Sequence, residues 1–196
     1  MRRFLLLCAA SLTLAAGPAF AANPQVEFET TAGTIKLELY PDAAPKTVEN
    51  FLKYVNSGHY VGTQFHRVIK GFMIQGGGYD DEYRQRPTRP PVAIESEQSV
   101  KAGLSNKPGT VAMARTSDPN SATAQFFINV ADNKRLDFRS ADPQGYGYTV
   151  FGKVIAGMDV VDKIAKGATG PGGPFPTDVP KEHVIIKAAR VVTPAN

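Results

Sequence analysis

Six short runs of strand-forming residues, at 65–69, 72–75, 110–114, 125–130, 149–154 and 184–192, separated by glycine- and proline-rich breaks, constrain the fold of this chain most. β-Branched and aromatic side chains are frequent in these runs, which marks them as strand formers. Ahead of them, Val26 and Phe28, then Ile35, Leu37 and Leu39, alternate with polar residues on either side of Thr31-Ala32-Gly33. That period of two predicts a pair of half-buried strands joined by a tight turn. Only two stretches carry a helical period. In the first, Pro45 occupies a first-turn position and Val48, Phe51, Leu52 and Val55 form one apolar stripe that ends at Gly58. In the second, 158–166, Met158, Val161, Ile164 and Ala165 face inward, with Asp159, Asp162 and Lys163 outward. The pattern predicts a mainly β fold, a closed antiparallel β-barrel capped by the two α-helices, rather than a parallel α/β sheet. The last strand should pair back with an early one. Segments 79–91, 132–148 and 167–180 read as loops and as the rims of any site.

The chain has 196 residues, enough for one domain with a substantial core. Its start reads as an address: Arg2 and Arg3 precede an apolar run over 4–16, and Ala19-Phe20-Ala21 offers a small-x-small cleavage site. The expected division is a signal peptide at 1–21 and a single domain at 22–196. The apolar run is shorter than the roughly 20 residues of a membrane-spanning helix, so no membrane partner is expected after cleavage. The only cysteine, Cys8, lies in the signal and follows Leu7 rather than a small residue, which argues against lipidation. The processed chain then has no disulfide, thiol nucleophile or cysteine-based zinc site, a composition suited to an oxidising compartment such as a bacterial periplasm. The formal charge is +4, with 22 basic and 18 acidic residues, and removing Arg2 and Arg3 leaves +2. The sequence pI of 9.2 could suggest nucleic acid. However, no clustered run of Lys and Arg follows a phosphate backbone, and nucleic-acid binding is excluded as the main role.

Familiar catalytic patterns are missing. His59, His66 and His183 have no zinc-ligand spacing, and there is no nucleophile elbow, phosphate loop or dinucleotide fingerprint. Neither a metal nor a cofactor is therefore expected, and Gly76-Gly77-Gly78 reads only as a flexible turn. His66 and Arg67 are neighbours on a strand, so they point to opposite faces and cannot readily cooperate; His66 reads as structural, hydrogen-bonded near the barrel wall. On the same alternation, Met73 and Gln75 share one face while Ile74 turns to the other, and Gln125 and Phe127 share one face while Phe126 and Ile128 turn inward. What remains is an arginine among aromatic, thioether and amide side chains.

The block Phe65-His66-Arg67-Val68-Ile69-Lys70-Gly71-Phe72-Met73-Ile74-Gln75-Gly76-Gly77 resembles the signature of cyclophilins. Gly109-Thr110-Val111-Ala112-Met113-Ala114-Arg115, then Ser121-Ala122-Thr123-Ala124-Gln125-Phe126-Phe127-Ile128-Asn129-Val130, is similar to the exported bacterial branch, and Val150-Phe151-Gly152-Lys153-Val154 fits the same family. The resemblance runs in family order from about residue 26 to 192. It implies a closed eight-stranded antiparallel β-barrel with a helix over each end, in agreement with the strand and helix count above, and a cofactor-independent peptidyl-prolyl cis-trans isomerase. Its partners would be proline-containing polypeptides in the periplasm, and the protein would be a monomer. Carried over by position, Arg67 is the catalytic arginine, and Phe72, Met73, Phe127 and Leu136 form the proline pocket. Gln75 would steady the arginine, and Ala114, Arg115 and Gln125 line the groove for the peptide backbone. Arg135 stands where the best-known relatives carry tryptophan and Tyr148 where they carry histidine, which implies weak cyclosporin binding. The competing reading is a non-catalytic chaperone or binding module for extended proline-containing chains. Arg67 together with Gln75 speaks against it, because gripping a proline ring does not require a permanent charge.

Overall fold

A computed structural model describes residues 22–192, so the expected signal peptide at 1–21 lies outside the described residues. The opening hairpin forms as its alternation predicts. β1 (Gln25–Thr30) and β2 (Gly33–Leu39) pair antiparallel, with Val26, Phe28, Ile35, Leu37 and Leu39 all fully buried. Thr30 closes the turn with its own hydroxyl, which accepts the amides of Ala32 and Gly33 and donates to the Gly33 carbonyl.

The first helix, α1 (Pro45–Asn56), starts at a proline and buries Val48, Phe51 and Val55. Its N-cap residue, Ala44, offers no side-chain oxygen. The amides of Lys46 and Thr47, which have no partner within the helix, instead donate to the two carboxylate oxygens of Glu95, at 3.0 and 2.8 Å, and the Thr47 hydroxyl adds a third bond. A buried acid from a distant segment thus satisfies the orphan donors and the positive end of the helix together.

The remaining elements are β3 (Arg67–Ile69), β4 (Met73–Gly76), α2 (Ser96–Lys101), β5 (Thr110–Met113), β6 (Phe126–Asn129), a 3-10 turn at Lys134–Leu136, β7 (Val150–Ala156), α3 (Met158–Lys166), β8 (Thr169–Gly172), β9 (Phe175–Pro180) and β10 (Ile186–Val192). One antiparallel sheet has the order β10-β1-β2-β7-β5-β6-β4-β3, so the last strand does return to the first. The sheet curls round a core in which the Phe28 and Phe126 rings stack at 5.5 Å and Phe51 meets Phe126 edge-on at 5.6 Å. α1 packs against β10, and α3 packs against β2 and β4.

Three expectations need correction. Among the described residues the barrel is not closed by a strand ladder: β3 and β10 are the two edges of the sheet, and only an isolated bridge between Gln64 and Ile185, with a few neighbouring backbone bonds, spans them. The architecture is an open, curled eight-stranded sheet. Segment 167–180 is not a loop but the separate β8–β9 hairpin, and α2 is a third helix besides the two expected. No helix of the described residues is long and apolar enough to cross a membrane.

Candidate active site

Strand register sets the site. Arg67 of β3 lies opposite Gln75 of β4, Gln75 opposite Phe127 of β6, and Phe127 opposite Ala112 of β5. Paired residues share a face, so these four form a row across the outer side of the sheet, with Met73 two positions from Gln75 on the same side. Ile74, Phe126 and Ile128, which alternate with them, are buried in the main core. The outer face is not bare, because Met73, Ala112, Phe127 and Val150 are buried in a second apolar cluster, with Phe72, Ala114, Leu136 and Tyr148 packed around it.

A cavity of about 170 Å³ opens in this second cluster. Phe72, Met73, Phe127 and Leu136 supply its apolar walls, while Arg67, Gln75, Ala114, Arg115 and Tyr148 form the rest of the lining. Nine of the ten residues singled out from the sequence therefore meet in one slot. The tenth, Gln125, stands behind it and accepts a hydrogen bond from the Gln75 amide at 2.9 Å. Among the described residues Arg67 makes no hydrogen bond to Gln75; with its amide turned to Gln125, Gln75 keeps its Oε1 as the only oxygen it could offer a guanidinium.

The loop over 132–148 carries Leu136 and Tyr148 and is pinned by a chain of buried amides. Asn133 donates to the Phe72 carbonyl at 2.8 Å and to Asn129 at 2.7 Å, Asn129 donates to Asn106 at 3.1 Å, and Asn106 donates to Asp137 at 2.8 Å. The Tyr148 amide closes the loop onto the Leu136 carbonyl. Sequence reasoning missed this network, since isolated asparagines in such a segment read as turn residues. Tyr148 meets Phe127 edge-on at 5.6 Å and lies under the Arg115 guanidinium, 4.7 Å from its ring centre. Arg115 also donates from Nε to the Gly147 carbonyl at 2.9 Å.

Asp178 was also missed. It lies on β9, in the segment expected to be loop, and brings its carboxylate within 3.9 Å of the Arg67 Nε. Its φ of 67° is in the left-handed region, a conformation that Asp and Asn adopt more readily than most other L-residues. The glycines after β4 are more than a flexible turn. Gly77 has φ +84° and sits where a Cβ would lie 2.8 Å from the Tyr60 ring, and a Cβ on Gly78 would lie 2.5 Å from the Gln125 side chain.

His66 faces away from Arg67, as strand alternation requires, and is only 2% exposed. Its imidazole packs between the Tyr79 and Phe175 rings, at 4.7 and 5.4 Å, and its Nδ1 has no hydrogen-bond partner. It is structural as expected, but aromatic packing surrounds it and Nδ1 lacks the hydrogen bond expected near the barrel wall. Burial lowers its pKa to about 4, against a smaller opposing effect from the Gln64 backbone. Among the described residues no group of three or more His, Cys, Asp or Glu side chains is arranged to hold a metal. A second cavity, of about 180 Å³, between the β1–β2 turn and the end of α3 has Lys163 and Lys181 at its edge but no aromatic wall.

The slot thus combines a half-exposed guanidinium with a small apolar recess, and nothing in its lining pairs a nucleophile with a base. The family model described as "Cyclophilin type peptidyl-prolyl cis-trans isomerase/CLD" matches residues 25–191. The chain is 54% identical over 167 residues to peptidyl-prolyl cis-trans isomerase cyp18 of Streptomyces antibioticus, covering 85% of this chain and 98% of that one. It is 48% identical over 194 residues to peptidyl-prolyl cis-trans isomerase A of Dickeya dadantii, covering 97% and 98%. Among solved structures, a cyclophilin type peptidyl-prolyl cis-trans isomerase of Cryptosporidium parvum superposes with a TM-score of 0.67 at 28% identity, covering 88% of this chain and 99% of that one. The same protein has been crystallised in the presence of the dipeptide Ala-Pro. With a family match across almost all of the described residues and relatives about half identical that are matched over 98% of their own length, the chain belongs to the cyclophilin-type peptidyl-prolyl cis-trans isomerases.

Proposed function

We propose that this isomerase acts on Xaa-Pro bonds of exported polypeptides, with Arg67 as its catalytic residue and with Phe72, Met73, Phe127 and Leu136 holding the proline ring. The observation that carries this reading is the Arg67 guanidinium on the lip of a ring-sized apolar slot, where the other lining arginine, Arg115, is bonded to the Gly147 and Thr116 carbonyls. Export and a periplasmic setting rest on the sequence of residues 1–21 and on the absence of cysteine after it.

The chemistry requires little else. An Xaa-Pro bond exchanges over a barrier of about 18–20 kcal/mol because rotation breaks amide resonance. At the twisted transition state the prolyl nitrogen becomes pyramidal and regains a lone pair. A donor aimed at that nitrogen is rewarded only there, so it stabilises the transition state over both ground states. Arg67 supplies a donor that keeps its charge across physiological pH. The aromatic and thioether walls clamp the ring while the preceding carbonyl swings. Backbone groups near Ala114 and Arg115, with Gln125, would take the chain as an extended segment, and Tyr148 closes the groove. We further propose that the protein works as a monomer and binds cyclosporin weakly, since Arg135 offers a charged rim beside Leu136 to an apolar cyclic peptide.

Exchange spectroscopy on an Xaa-Pro peptide tests the assignment. The wild type should accelerate exchange, and Arg67→Ala should lose about 10- to 100-fold, the value of one charge-assisted hydrogen bond made in the transition state. Unfolding free energy should move by less than about 1 kcal/mol, because the ion pair that Arg67 makes is long and solvent-exposed. An unchanged exchange rate in Arg67→Ala refutes the role given to that residue. An inactive wild type that still suppresses aggregation would replace the enzyme with a holdase.

A further inference from the structure

Arg115 and Arg135 flank a shallow cleft of about 590 Å³ that continues from the proline slot through their shared residues Arg115, Leu136 and Tyr148. Thr116, Ser117 and Gln144 complete its polar edge, and no acidic residue lines it. Each guanidinium is held over an aromatic ring that belongs to the slot: Arg115 lies 4.7 Å from the Tyr148 centroid and Arg135 lies 4.9 Å from that of Phe72. Stacking fixes the plane of a guanidinium while its N–H edges stay available for a carboxylate, which they match as a fork. Arg115 spends Nε on the Gly147 carbonyl and Nη1 on the Thr116 carbonyl, and its Nη2 is not engaged in either bond.

Neither arginine has a carboxylate partner among the described residues, whereas Arg84 and Arg190 each have two. The acids close to the cleft in sequence are committed elsewhere, Asp118 to the Asn120 amide and Asp132 to the Lys134 amide. Asp142 accepts the amides of Gln144 and Gly145, and Asp137 accepts from Ser105 and Asn106. Two ring-anchored cations without an internal counterion, beside a substrate groove, leave the counterion to the substrate. We propose that this cleft is a subsite for an acidic side chain, so that the isomerase prefers proline-containing segments with Asp or Glu within a few residues of the proline. The proposal rests on the assignment of the proline slot above.

A series of Xaa-Pro peptides tests it, with Glu scanned through the positions flanking the proline and each member compared with its Gln counterpart. The readout is the Glu-to-Gln ratio of kcat/KM at low salt. For the wild type this ratio should reach about fivefold at one or more positions, as for a solvent-exposed carboxylate–arginine pair, and should shrink as salt is added. In Arg135→Gln it should fall towards one, and in Arg135→Glu it should invert. Using a ratio within each variant removes any change in Phe72 packing or overall activity. Wild-type ratios below about twofold at every position, or a preference that survives Arg135→Glu, would overturn the proposal. Failure to accelerate any peptide would instead refute the underlying slot assignment.

Discussion

Acidification should unfold this protein through His66 more than through any other histidine. The imidazole is buried between Tyr79 and Phe175 with Nδ1 unpartnered, so a proton has little water to reach and gains only the smaller favourable effect of the Gln64 backbone. Burial holds the folded-state pKa at about 4, below the ordinary value of 6.5. The folded state thus binds the proton more weakly than the unfolded chain does. Stability from this group is intact above pH 6.5, is lost as pH falls from there towards 4, and levels off below that. The displacement is worth roughly 2–3 kcal/mol at about pH 4.5, a large share of the stability of a domain this size. His66→Phe keeps a ring in the stack and removes the titration. Urea unfolding at about pH 7 and about pH 4.5 should show the wild type losing roughly 2–3 kcal/mol more than His66→Phe between the two. Taking the difference between pH values cancels both the packing cost of the larger ring and the shared titration of His59 and the carboxylates. If both proteins lose the same stability, His66 is not protonated on unfolding as argued.

Three other substitutions test other parts of the structure. Asp178→Asn keeps a residue that tolerates the positive φ but removes the charge beside Arg67; kcat/KM should fall by no more than about threefold, as for an exposed pair, with the melting temperature unchanged. Gly78→Ala puts a methyl group into the Gln125 side chain, breaking its bond to Gln75, and should lower kcat/KM by about two- to tenfold in the exchange assay. Glu95→Ala leaves two amides and one hydroxyl at the start of α1 without their buried acceptor and should cost roughly 2–4 kcal/mol in urea unfolding.

What could be read from the sequence followed from side-chain periodicity. The β1–β2 hairpin, α1 and α3 carry clean apolar patterns, and the period of two is enough to separate Met73, Gln75 and Phe127 from Ile74, Phe126 and Ile128. The misses share a different cause. α2 is Ser-Glu-Gln-Ser-Val-Lys, without an apolar stripe, and is held by Ser96 donating to the Tyr146 carbonyl and Ser99 to the Val150 carbonyl. β8 and β9 are rich in Gly and Pro, and pair as a hairpin outside the main sheet, where a proline removes no bond from the central ladder. Barrel closure depends on whether the residues before β3 and β10 run on as a ladder, and no local pattern encodes that. Asp178 meets Arg67 only because β9 packs beside β3, a tertiary juxtaposition with no signal in either segment.

The placement of Met73 and Phe127 on the outer face, yet 2% and 4% exposed, bears on how the slot works. The recess is a gap in a packed cluster rather than a hollow on a bare sheet, so close packing sets its shape and leaves it little freedom to collapse. Arg67 sits at the boundary of that cluster with its side chain 45% exposed, so its charge is solvated while the slot is empty and costs the fold little. A bound chain would cover it, and the same guanidinium would then act from a drier setting in which one hydrogen bond to the prolyl nitrogen is stronger than in water. A charge buried permanently would need a full counterion, and that counterion would compete for the donor. The long Asp178 contact holds the guanidinium without satisfying it, which is the condition a donor must meet if its best acceptor is to exist only at the transition state.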